Sequence, residues 1–143
     1  MTIQLAVLCD AATDYNGKLN ILGTFDRINL VQMPAMHPQM YLVLRIEAQP
    51  VERERSHKIE IRLHDPEGQT IFDVNGDLVA HGEGPHPTST NQILTLNNLQ
   101  LEKVGVYNFV IFINNDLKLE LPLHVEFVTM PAVAGAQSSQ QFH

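Results

Sequence analysis

The chain has no tryptophan and one cysteine, Cys9, and aromatic residues make up only 6% of its 143 positions. A lone cysteine excludes an internal disulfide, so stability has to come from packing. A chain of this length buries about 68–70% of its unfolded surface, enough for one core without staples. With no tryptophan, and tyrosine confined to Tyr15, Tyr41 and Tyr107, few aromatic faces exist on which sugars or bases could stack. Basic residues are scarce too. Nine Lys and Arg against sixteen Asp and Glu give a formal net charge of −7. Binding to a nucleic-acid backbone needs clustered positive charge, so no nucleic-acid partner is expected. No apolar run approaches the ~18 residues of a membrane-spanning helix, so no membrane partner is expected. The stretch "LAVLC" has the outline of a lipoprotein cleavage box. However, the first basic residue is Lys18, the apolar run is short, and Leu8 stands where a small residue belongs. A cytoplasmic location is the expectation.

Helical periodicity is also missing. No segment places apolar residues at i, i+3, i+4 and i+7 over three turns, so no long helix is expected. What dominates is alternation with period two, the signature of strands with one face in a core. Ile3, Leu5, Val7 and Cys9 alternate with Gln4, Ala6, Leu8 and Asp10. Leu19, Ile21, Gly23 and Phe25 share a face, with Leu22 on the other. Met40, Leu42, Leu44 and Ile46 oppose Arg45 and Glu47. Ile59, Ile61 and Leu63 oppose Glu60, Arg62 and His64. Later segments behave alike, with Ile93 and Thr95 against Leu94 and Leu96, then Tyr107, Phe109, Ile111 and Ile113 on one side. A last strand, "LKLELPLHVEFV", is expected to bend at Pro122.

Turn residues fall between these runs. Asn16-Gly17 suits a tight hairpin, "DPEG" at 65–68 a proline-led turn, and "NND" at 114–116 another hairpin. Asn75-Gly76 reads as a further hairpin. "MPAMHPQ" and "HGEGPHPTST" read as longer loops, and the charged stretch "VERERSHK" at 51–58 as a solvated loop or strand end. Seven to nine strands predict an all-β, antiparallel two-sheet β-sandwich, immunoglobulin-like or jelly-roll-like, over residues 1–129. The segment 130–143, small and polar, reads as a flexible C-terminal tail.

The Gly17-Lys18 pair is not a phosphate-binding loop. Ala12 stands at the first glycine position, Leu19 replaces the hydroxyl residue, and a strand follows where a helix is required. Gly23, in mid-strand, points to a bulge or a close approach. The stretch "LAVLCDAATDYNGKLNILGTFDRI", with "LHDPEGQTI" and "VGVYNFVIFIN" later, resembles a family of uncharacterised bacterial proteins that share a GKLNILGxFD signature. The resemblance spans most of residues 3–128. It implies a compact all-β domain and no particular activity.

Chemistry-bearing clusters are few. His81, Glu83 and His86 in "HGEGPHP" are candidate metal ligands, but a zinc site needs three or four such groups held tetrahedrally, and glycine and proline surround them. "DVNGDL" starts like a calcium loop and then fails, with Leu78 at the required glycine and Gly84 at the bidentate glutamate. Cys9 lies among Ile3, Leu5 and Val7 and reads as a small buried hydrophobe. No G-x-S-x-G elbow occurs. The reading favoured is a non-catalytic protein-interaction or assembly module without a cofactor, bound to a protein partner or to itself. Leu8 and Leu22, on nominally polar faces, suggest a sheet covered on both sides, as a homo-oligomer would provide. The alternatives are a metal-dependent or small-molecule β-barrel enzyme using His81, Glu83, His86 or His124, and a phage-derived structural protein.

Overall fold

The computed structural model describes residues 1–129, so the segment 130–143 lies outside the described residues. Nine strands follow one another: β1 (Thr2–Tyr15), β2 (Lys18–Phe25), β3 (Arg27–Leu30), β4 (Ala35–Ala48), β5 (Ser56–His64), β6 (Thr70–Val79), β7 (Thr88–Leu101), β8 (Gly105–Ile113) and β9 (Asp116–Phe127). A single 3-10 turn, Pro50–Glu52, is the only helical piece among the described residues. The strands form two sheets, ordered β2-β1-β4-β7 and β3-β9-β8-β5-β6. Neighbours run antiparallel except β3 and β9, which are parallel. The all-β sandwich read from the alternation is what the chain forms.

The alternation sets the core. Met40, Leu42, Leu44 and Ile46 of β4 face Ile59, Ile61 and Leu63 of β5 and Tyr107, Phe109, Ile111 and Ile113 of β8, all buried in one cluster. Each pair of sheets facing across ~10 Å removes such side chains from water at roughly 1.5–3 kcal/mol apiece. Tyr107 is buried because its hydroxyl is satisfied. It donates to the Lys103 carbonyl at 3.0 Å and accepts from the Lys103 backbone N–H at 3.3 Å.

Three turns form as their residues demand. Asn16 and Gly17 both hold positive φ, 51° and 81°, and Asp14 Oδ1 accepts the Gly17 N–H at 2.9 Å. In the DPEG turn, Asp65 Oδ1 accepts the backbone N–H groups of Glu67 and Gln69. Asn114 and Asn115 turn β8 into β9, again with positive φ.

Several expectations are corrected. Asn75-Gly76 is no hairpin. Asn75 pairs with Glu60 and Gly76 with Ile59, and β6 runs through both. Asn-Gly permits a reversal without compelling one, and the DPEG turn already returns the chain, so the ladder with β5 wins. "MPAMHPQ" is not a loop throughout, since Ala35–Gln39 begins β4. Pro38 is tolerated because it lies opposite Asn98, where the ladder skips a pair and Asn98 takes φ 55°. Buried Leu96 and Leu99, three residues apart, show that the strand changes face there. β9 is continuous through Pro122. The His124 N–H donates to Asp26 O toward β3, so the nitrogen of Pro122, two residues earlier, points past the end of β3 and no ladder bond is lost.

The first strand departs most from its pattern. A bulge between Ile3 and Leu5 shifts the register against β4, and a one-residue slip exchanges the two faces. Leu8 therefore enters the core opposite Leu42, while Leu5, Val7 and Cys9 turn outward. The outward face of that sheet is covered nonetheless. Arg45 of β4 lies opposite Leu5, yet its Nη1 donates to the Gly17 carbonyl at the hairpin tip. Twelve residues of extended strand would span about 40 Å, far more than an arginine side chain. The β1–β2 hairpin must therefore fold back over its own sheet. The bend falls where Gly23 opposes Asp10. Gly23 takes φ +71°, and a Cβ there would lie 2.6 Å from Asp10 Oδ2, the close approach expected of a mid-strand glycine. Cys9 and Val43, both on the outer face, are fully buried. Leu22, by contrast, sits on the hairpin and is 71% exposed.

Candidate functional site

The candidate metal ligands do not converge. His81 Nδ1 lies 2.9 Å from Glu54 Oε2 at the surface. Glu83 and His86 contribute main-chain carbonyls, which together with that of Gly84 accept hydrogen bonds from Arg53. Among the described residues no group of three or more His, Cys, Asp or Glu side chains is placed to hold a metal ion. Arg53 itself is buried, at 8% exposure, although its sequence neighbourhood reads as solvated. It reaches under the 81–87 segment and ties it down. His57 is buried as well, donating from Nε2 to the Glu52 carbonyl at 2.7 Å and accepting the Asn114 side-chain N–H at Nδ1 at 2.9 Å. Both ring nitrogens are thus used in structure. His124 is half-buried on β9, opposite Val106 of β8 and Arg27 of β3.

The one thiol is placed no better for chemistry. Burial pushes the Cys9 thiol up, and the Asp10 carboxylate adds to this against a hydrogen bond from the Ala11 backbone. A thiol held protonated away from solvent is a weak nucleophile. The ion pairs likewise serve the frame. Lys103 Nζ sits 2.7 Å from Asp65 Oδ2, clamping the turn before β6 to the one before β8. Arg62 bridges Glu60 at 2.8 Å and Asp73 at 3.4 Å and lies over the Phe112 ring at 4.7 Å.

What stands out is a strand edge. The sandwich is open at both sides, leaving β2, β7, β3 and β6 as edges. Exposed edges present unpaired N–H and C=O groups and are ordinarily blunted by shortness, by charge or by cover. β3 has four residues. β6 carries Asp73 and Asp77, with Gly76 between. β2 is swept up in the folded-back hairpin. β7 has none of these defences. It runs fourteen residues, TSTNQILTLNNLQL, with no charge, no proline and no glycine. One side of it pairs with β4 from Ala35 to Ala48. On the other side no backbone partner occurs among the described residues.

The surroundings keep that edge in place. Asn91 of β7 donates from Nδ2 to Asp14 Oδ2 at 3.1 Å and to the Gly17 carbonyl at 3.2 Å, so the hairpin tip presses on the strand's outer face. Beneath it, a cleft of about 140 Å³ opens between β7 and β6, its floor formed by Ile59, Ile61, Val74 and Leu94 and its rim by Asn75, Asp77 and Gln92. Gly76, opposite Ile59, occupies an inward position on β6, and its missing side chain leaves the floor of the seam unfilled. A strand laid on β7 would find backbone groups to pair with and an apolar slot for its inward side chains. The sequence does show the lack of charge in 88–101. That this stretch forms an edge is set by sheet order, which no local pattern shows.

Compared with known proteins, residues 4–126 match the family model described as Family of unknown function (DUF6941). The match shows an uncharacterised family, and shows neither a bacterial origin nor a defining GKLNILGxFD signature. No curated protein matches the chain.

Proposed function

We propose, for a chain that belongs to this family of unknown function, that it is a non-catalytic interaction module which docks an extended strand of a protein partner on β7. The observation that carries the reading is the fourteen-residue, charge-free edge that has no backbone partner among the described residues. Strand addition draws affinity from main-chain hydrogen bonds and selectivity from the pockets that receive alternate side chains. β7 offers the first along its length and the second in the slot beside Leu94. A polypeptide partner suits this surface, since a net charge of −7 disfavours polyanions. No helix among the described residues is long and apolar enough to cross a membrane.

The test is a photo-reactive side chain placed at Thr95 on β7 or, separately, at Asn29 on the β3 edge far from that cleft, in the cells that make the protein. Cross-links to a second polypeptide chain are expected from position 95 and not from 29. No adduct at 95, or equal adducts at both positions, would remove the reading.

A further inference from the structure

We infer that the strand received by β7 is β7 of a second copy, so that two sandwiches join across a two-fold axis and their four-stranded sheets become one. The inference rests on the strand-docking reading above. It comes from the distribution of charge. Each copy carries −7, and like charges within the Debye length, about 8 Å at physiological salt, repel. Two copies therefore approach most readily where the pairing strands themselves carry no charge, and β7 is the long edge of that kind, with the flanking Asp77 set opposite Lys58 and Asp14 held by Asn91.

An antiparallel two-fold centred on Ile93 sets Ile93 against itself, Asn91 against Thr95, Gln92 against Leu94 and Ser89 against Asn97. Every such pair joins uncharged side chains, and those involving β-branched residues favour cross-strand packing. The same operation on β6, centred on Asn75, would set Asp73 of one copy against Asp77 of the other, a like-charge pair that opposes pairing. β3, with four residues, offers too little ladder. An isologous interface of this kind closes on itself, and the edges it leaves are the charged β6, the four-residue β3 and the hairpin strand β2, so it ends at two copies.

The experiment is sedimentation equilibrium of the full chain over about 1 µM to 1 mM, a span that covers weak and moderate dimers. It is run together with amide exchange at residues 89–97, for the natural chain and for Thr95→Glu. Thr95 is exposed, so the substitution adds like charge at the interface and leaves the core intact. A dimer is expected, with exchange at 89–97 slowing as concentration rises and association weakened about tenfold or more by Thr95→Glu, since each copy then sets an unpaired carboxylate against the uncharged Asn91 of the other. A monomer with fast exchange at 89–97 would overturn self-pairing and leave strand docking standing. A monomer with slow exchange there, the edge being covered by its own chain, would overturn both. A dimer with fast exchange at 89–97 would place the contact on another surface and overturn self-pairing. Should Thr95→Glu fail to fold, the concentration dependence of the natural chain decides alone.

Discussion

Arg45 on β4 and Asn91 on β7 lie opposite each other, and both donate to the carbonyl oxygen of Gly17, at 3.3 and 3.2 Å. Arg45 also donates to Asn91 Oδ1 at 3.0 Å. Two neighbouring strands thus hold the tip of a hairpin that would otherwise extend into solvent. The carbonyl of a tight turn normally bonds to water, and here it is committed to the sheet below.

The latch predicts the behaviour of Asn91→Ala. The substitution removes both Asn91 donors to the tip and the acceptor that orients Arg45. It is expected to cost about 1–2 kcal/mol in urea unfolding. Cys9, in the crook of the bend and fully buried, should react faster with a thiol reagent under native conditions, because the hairpin lifts more often. An unchanged labelling rate would show that the hairpin is held by other contacts.

Gly23→Ala separates two sources of strain at the bend. The residue sits at φ +71°, and its new Cβ would meet Asp10 Oδ2 at 2.6 Å and Asp10 Cγ at 3.1 Å. A loss of roughly 1–3 kcal/mol is expected. In an Asp10→Ala background the clash with Oδ2 and Cγ is gone while the backbone strain remains, so the loss should fall to about 1 kcal/mol. A double-mutant cycle measures the difference. Equal losses in both backgrounds would rule out the contact.

Acid stability follows from the Asp65–Lys103 clamp. The Lys103 ammonium, with the backbone N–H groups of Gln69 and Glu67, holds the Asp65 carboxyl below its ordinary value of 3.8, against burial that raises it. Glu52 is lowered in the same direction, chiefly by the Met1 ammonium 2.6 Å away. For a depressed carboxyl, the stabilisation is present above the unfolded value near 4 and is lost as pH falls through the lower folded value. Lys103 is raised above 10.5, first by Asp65. Its contribution is therefore full below 10.5 and lost as pH rises through the higher folded value. The urea midpoint should drop on the acid side below pH 4 in the natural chain, and less steeply in Asp65→Asn. Parallel acid limbs for the two proteins would contradict the clamp.

Period two carried most of the fold because β4, β5 and β8 lie mid-sheet and keep one face inward along their length. It misplaced Leu8 because a bulge is a matter of pairing geometry, and nothing in "TIQLAVLCD" marks Gln4 as the extra residue. Turn chemistry reads Asn75-Gly76 as a corner because local preference cannot weigh a competing ladder. Arg53 reads as solvated in the letters because its partners, the carbonyls of Glu83, Gly84 and His86, lie about thirty positions away. The candidate edge was half legible. Its composition is plain in the letters, and its position at the margin of a sheet follows only once β4 is seen to pair with β1 and β7 together.

The parallel pairing of β3 with β9 has a consequence during synthesis. Arg27 meets Glu126, 99 positions later, and the Asp26 carbonyl waits for the N–H of His124. A ribosome adding about 5–20 residues per second makes β3 roughly 5–20 s before its neighbour exists. Through that interval Ile28 has no Val125 beside it, so the nascent chain carries an open flank that only its late-made strand can close.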